Sequence, residues 1–159
     1  MTRHYGISMR AKELIEKYAM EEHVENGKFI ERHYEHTDSS RAASGTIYYY
    51  VSPGEKTEFH RIDCDEYWVY NAGETIELWV INNDKKLELR FCGITDNAEP
   101  CVRFAAGEIF ASKLPAGAKD GCFVSCITVP RFSYEGFELI AKEEMLQEYP
   151  EMAGFWERV

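Results

Sequence analysis

Between Thr57 and Gly73 the chain reads TEFHRIDCDEYWVYNAG, which brings Glu58, His60, Glu66, Trp68 and Tyr70 into two short β-like runs joined by the acidic turn Asp63-Cys64-Asp65. Side chains alternate along a strand, so Glu58, His60 and Ile62 share a face of the first run, and Glu66, Trp68 and Tyr70 share a face of the second. An imidazole among carboxylates suits three roles. It can ligate a metal ion, it can move protons with a pKa set by burial and neighbouring charge, or it can sit hydrogen-bonded in a core. Inward carboxylates without an ion or ligand would repel and be costly to desolvate, which argues against the last role for the whole set.

Other chemistry-bearing residues are sparser. In the run Tyr48-Tyr49-Tyr50, alternation places Tyr48 and Tyr50 on one face and Tyr49 on the other, so at least one ring leaves the interior. His23, His33 and His36 lie in an arm-like region at spacings that suit no strand face, and solvent exposure is expected for them. The five cysteines contain no C-x-x-C pair, which suggests neither a disulfide framework nor a structural zinc site. Cys122 and Cys126 share a strand face with no histidine near in sequence to activate them.

These residues must be positioned by a β-rich domain. Short candidate strands recur at 46–52, 56–62, 66–71, 75–82, 86–94, 101–105, 109–114 and 122–129, separated by turn signals such as SPGE, NAGE, NNDKK and PAGAKDG. Eight short strands at that spacing predict an all-β sandwich or barrel. Residues 8–20 predict an amphipathic lid helix, with Ala11, Leu14, Ile15 and Tyr18 on one face and Ser8 available as N-cap. The segment from Asn26 to His36 reads as an extended arm, and residues 141–158 as closing helices interrupted by Pro150. The whole, 1–159, reads as one domain with a barrel core over residues 28–140.

Composition narrows the function. A formal net charge of −10 and a pI near 5.0 oppose binding to a phosphate backbone, so nucleic acid is not an expected partner. The start MTRHYGISMR lacks the apolar core of a secretory signal, and no apolar run is long enough to cross a membrane, so no membrane partner and a cytoplasmic location are expected.

Gly54, His60, Ile62, Glu66 and Gly73 reproduce the spacing of the first cupin motif, G-x5-H-x-H-x3-E-x6-G. With HVENGKFIER, SGTIYYYVSPGE, LPAG and CITVPRFSYEGFEL in the same order, the chain resembles a single-domain cupin subfamily of unknown function over roughly residues 10–150. The resemblance implies a double-stranded β-helix, or jelly-roll barrel, with one small-molecule pocket, and a homodimer. In metal-bearing cupins two histidines, the glutamate and a later histidine hold the ion. Here Ile62 takes the second histidine's place, and Asp120 falls at the later one when PAGAKD is aligned with the second motif.

The resemblance therefore leaves His60, Glu66, Glu58 and Asp120 as metal candidates. They lack the two-histidine, one-carboxylate triad of iron oxygenases and would suit manganese or magnesium better. No cofactor is firmly assigned, and a divalent ion stays open. Sugar-nucleotide epimerases of this fold use a histidine base and a tyrosine acid, which would make His60 the base and one of Tyr48, Tyr50 or Tyr70 the acid. Glu31 lies in the block that resembles the family's arm, where it could meet a ligand or form a surface ion pair. The reading is a pocket for a small polar metabolite, with His60 and Glu66 as catalytic candidates and Glu58, Tyr48, Tyr50, Trp68, Tyr70, Asp120 and Glu31 around it. The activity would be that of a carbohydrate-related isomerase or epimerase, or else there is none and the pocket is a receptor or structural module.

Overall fold

The stretch CFVSCITV, Cys122–Val129, shows how side-chain alternation sorts this chain into layers. Cys122, Val124, Cys126 and Thr128 are buried on its inner face, while Phe123 packs against the opposite one. A computed structural model describes residues 9–34 and 41–157. Its strands are β1 (Glu21–Glu22), β2 (Lys28–Tyr34), β3 (Gly45–Val51), β4 (His60–Ile62), β5 (Asp65–Gly73), β6 (Ile76–Ile81), β7 (Leu87–Cys92), β8 (Cys101–Phe104), β9 (Ile109–Lys113), β10 (Cys122–Val129) and β11 (Phe137–Leu139). Two helices, α1 (Glu13–Tyr18) and α2 (Lys142–Glu148), and 3-10 turns at Tyr134–Gly136 and Pro150–Phe155 complete it.

The strands form two antiparallel sheets, β1-β2-β3-β10-β5-β8 and β11-β4-β9-β6-β7. Between them lies the barrel interior, where Tyr49, Trp68, Leu78, Val80, Phe104, Phe110 and Val124 are buried together. Outside the five-stranded sheet a second core joins Phe59, Ile109 and Ala111 to Met145, Met152 and Phe155 of the C-terminal helices. Outside the six-stranded sheet a third core sets Ala11 and Leu14 against Tyr50 and Phe123.

The third core corrects two expectations. The N-terminal helix is shorter than residues 8–20, because Ala19 turns left-handed at φ 50° and returns its N–H to Ile15 and Glu16. It is also no lid, since its apolar face covers the outside of the sheet and not the barrel mouth. Ser8 and His36 lie outside the described residues. Tyr48 and Tyr50 take the outer face under this helix, and the inward ring is Tyr49, the reverse of what a ligand role for Tyr48 and Tyr50 requires. Tyr48 meets Tyr18 at 4.8 Å between ring centroids.

Asp120 is placed by the same layer. Its carboxylate accepts from the N–H groups of Ala11 (3.0 Å), Lys12 (3.2 Å) and Gly121 (2.8 Å), and from the Tyr50 hydroxyl (3.3 Å). It therefore anchors the start of α1 to the β9–β10 connection, outside the barrel. The expected arm is a hairpin of β1 and β2 added to the sheet beside β3. The expected strand 56–62 is interrupted: Lys56 bridges Lys113, β4 begins only at His60, and Glu58 between them is exposed at the rim. Among the described residues no helix is long and apolar enough to cross a membrane.

Replacing Asp120 with alanine strips an end cap from α1 and unpairs two backbone N–H groups and a half-buried hydroxyl. Urea denaturation is expected to show a loss of about 1–2 kcal/mol, with the histidine resonances of the barrel mouth unchanged.

Candidate functional site

The turn HVENG, residues 23–27, delivers the residue that the site is built on. Asn26 and Gly27 adopt positive φ (70° and 77°), which lets the chain reverse between β1 and β2. A side chain at Gly27 would meet the Tyr49 hydroxyl at 2.5 Å, so glycine is required for closeness as well as for conformation. The Tyr49 hydroxyl donates to Asn26 O (2.6 Å), Gly27 N donates to Glu55 Oε1 (3.0 Å), and Glu58 N donates to Glu25 O (2.8 Å). These bonds latch the turn across the open end of the barrel. Glu25 is thereby held inside, its side chain only 9% exposed.

His60, the first residue of β4, is also buried. Glu25 Oε2 stands 2.5 Å from His60 Nδ1, but the Nδ1–H points at Glu58 O (3.0 Å), and Oε2 is left without a hydrogen bond among the described residues. With Nδ1 committed, Nε2 is the nitrogen available to a ligand. Burial alone would lower the pKa of His60, but the charge of Glu25 close beside it and the bond to Glu58 O leave it raised. His23 shows the opposite balance: burial lowers its pKa, and Glu25 only partly restores it. Its Nδ1 accepts from Glu25 N (3.3 Å), so this histidine is neutral with its proton on Nε2.

Glu66 is the third member. Burial first, then the charge of Glu25, push its carboxyl up to about 7, while His60, Trp68 and Cys126 pull it back. Its neighbour Cys126 is driven well above the usual thiol range by burial, so that sulfur stays protonated and is no nucleophile.

His23, Glu25, His60, Glu66 and Cys126 line one cavity of about 280 Å³, with Ile62, Thr128, Phe29, Phe132, Tyr134 and Phe137 among its walls. Its inner end is closed by aromatic rings: His60 lies 4.3 Å from Phe110, which stacks on Phe104 at 3.8 Å. At the mouth Arg131 holds Glu31 through two bonds of 2.8 and 2.9 Å.

Of the residues singled out from the sequence, His60, Glu66 and Glu31 line the cavity, and Ile62 stands beside them where a second histidine would be needed. Glu58 points out at the rim, with Asn26 Nδ2 at 3.4 Å. Trp68 is core, packed between Tyr49 and Phe104 behind the cavity. Tyr70 lies four residues along β5 from Glu66 and donates to Gly73 O (2.6 Å). Asp120, Tyr48 and Tyr50 belong to the outer layer. His33 is exposed as expected, but the side chain of His23 is only 7% exposed, because its turn folds inward instead of trailing as an arm.

The residues missed were Glu25 and His23; the signal was the Asn26-Gly27 pair, which marks a tight reversal. The tyrosine on the cavity is Tyr134, 58% exposed. Among the described residues no group of three or more His, Cys, Asp or Glu side chains is arranged to hold a metal ion, and Ile62 stands on the cavity where a second histidine would be needed.

A carboxyl whose folded pKa lies above its unfolded one favours folding most at low pH and loses that contribution as pH climbs through the folded value. Glu66, raised from 4.5 to about 7, and His60, also raised, act in this direction, opposed only by His23, whose lowered pKa works the other way up to its ordinary 6.5. The melting temperature should therefore fall from about pH 5 to about pH 8. Glu66→Gln should flatten that fall and be the more stable protein at the alkaline end; parallel curves for the two proteins would show that Glu66 titrates normally.

Residues 12–140 match the family described as Cupin superfamily (DUF985). Protein SO0799 from Shewanella oneidensis has a similar structure at 29% identity and TM-score 0.84, the alignment covering 92% of this chain and 94% of that one. A hypothetical protein from Leishmania major follows at 27% identity and TM-score 0.81, covering 90% and 94%. Oxalate decarboxylase from Bacillus subtilis is similar only in fold, at 12% identity and TM-score 0.58, with 81% of this chain aligned to 34% of that one. No protein of curated function matches the chain. The two-sheet barrel, the motif spacing from Gly54 to Gly73 and the match over most of the length make this chain a member of the cupin superfamily, in the family of unknown function designated DUF985.

Proposed function

We propose that the chain binds a small polar metabolite in the barrel mouth and moves a proton on it, as a carbohydrate-related isomerase or epimerase does. The observation that carries this reading is the state of His60: Nδ1 is fixed by Glu58 O, Nε2 is left for a ligand, and Glu25 stands at 2.5 Å to stabilise the imidazolium that forms.

The chemistry uses no oxidant. His60 Nε2 takes the proton from a carbon beside a carbonyl, the C–H electron pair forms the C=C bond as the carbonyl electrons move onto oxygen, protonated Glu66 gives its proton to that oxygen to form the enol, and the transfers reverse to return a proton to carbon. Glu66 is the second proton carrier, because a carboxyl raised to about 7 can hold a proton at neutral pH and release it. Apolar walls exclude water from the enol. Tyr134, not Tyr48, Tyr50 or Tyr70, is the tyrosine placed to assist.

The test is solvent exchange. Aldoses, ketoses, amino sugars and nucleotide-linked sugars incubated with the protein in D2O should include one that gains deuterium at the carbon next to its carbonyl, followed by proton NMR. His60→Asn should slow this by about 10²- to 10⁴-fold. Stability does not separate a catalytic from a structural histidine here, since His60→Asn in both cases leaves Glu25 buried without its partner, at a cost of about 1–3 kcal/mol. Saturable binding with no exchange in any compound would replace the enzyme by a receptor that uses the same cavity.

A further inference from the structure

The charge and walls of the cavity are informative about what it takes. Three carboxyl groups, Glu25, Glu31 and Glu66, outnumber the groups that can carry positive charge beside them, Arg131 and His60. Arg131 is already held at two points by Glu31 and lies 3.8 Å over the ring of Tyr34, so an entering anion would have to break that pair and then face Glu25 and Glu66. Glu25 Oε2 is a second and independent sign. It is a buried acceptor, on a side chain more than nine-tenths enclosed, that lines the cavity; it pairs by charge with His60 Nδ1 at 2.5 Å but, that N–H being directed at Glu58 O, accepts no hydrogen bond among the described residues. Such an atom calls for an N–H or O–H from a ligand. The walls add the third element, four rings from Phe29, Phe132, Tyr134 and Phe137, and aromatic faces attract cations.

We infer that the cavity takes a small organic cation, an amine whose N–H bonds to Glu25 Oε2 while its charge lies against the aromatic wall. The inference rests on the proton-transfer reading and deepens it: the substrate is an amine-bearing carbonyl compound, for which an amino sugar is the carbohydrate type. A neutral sugar offers the O–H but leaves the negative cavity uncompensated, and a sugar phosphate adds to its charge.

Calorimetric titration of the full chain with glucosamine, N-acetylglucosamine, glucose and glucose 6-phosphate at neutral pH separates these. Glucosamine should bind saturably and at least about tenfold more tightly than the other three. Glu25→Gln and, as a variant that leaves the buried charges in place, Phe132→Leu should each weaken that binding without affecting folding as judged by circular dichroism. Equal binding of glucose or N-acetylglucosamine, tighter binding of the phosphate, or no saturable binding of glucosamine overturns the cation site. Deuterium exchange on the same samples keeps the two claims apart. Amine preference without exchange retains the cation site and rejects proton transfer, whereas exchange into neutral sugars with no amine preference does the reverse.

Discussion

A carboxylate and an imidazole, both enclosed by the barrel, meet in its mouth, and the contact between Glu25 and His60 sets the terms for everything around it. Neither charge is cheap to bury, because a low-dielectric interior penalises an ion that water does not solvate. The surroundings meet that cost with backbone. Glu58 O takes the His60 N–H, Tyr49 OH and Glu55 hold the turn that carries Glu25, and Glu58 N closes onto Glu25 O. Remove the turn and the imidazole loses the charge that raises its pKa; remove the imidazole and the carboxylate is stranded.

The layering decides where such a site can exist. The inner half of the barrel is filled by Tyr49, Trp68, Phe104 and Phe110, which leaves no room for a ligand there and presents a ring to the underside of His60. Helices cover the outer faces of both sheets, so Tyr48, Tyr50 and Asp120 are consumed in holding α1 down. What is left open is one end, walled by aromatic side chains that follow β10 and guarded by Glu31 and Arg131. The Gly73 of the cupin spacing belongs to this architecture: at φ 93° it approaches Gly121 O so closely that a Cβ would stand 1.9 Å from it, which ties the end of β5 to the start of β10.

Membership of the cupin superfamily accounts for the frame but not for the donor set. Where a second histidine would be needed for a metal, Ile62 contributes hydrocarbon, and the carboxylate beside His60 comes from a turn some thirty-five positions earlier, Glu25, and not from Glu58 on the same run. The site is accordingly one of two perturbed titrating groups, His60 and Glu66, both facing the charge of Glu25.

The sequence by itself determined the β-rich class, the turns between strands and the inward placement of His60, Ile62 and Glu66, because each rests on local periodicity or on a spacing carried within one hairpin. It also showed that Tyr49 must oppose Tyr48 and Tyr50, yet not which side was the interior. Only the tertiary structure decided that, since both faces of the sheet are covered and both read as apolar. The same holds for the side chains of Glu25 and His23, whose burial depends on a turn latched by Tyr49 and Glu55, and for Asp120, whose bonds to Ala11 and Lys12 span more than a hundred residues. Alternation specifies a face within a strand; which face looks into a cavity is set by what packs against the other one.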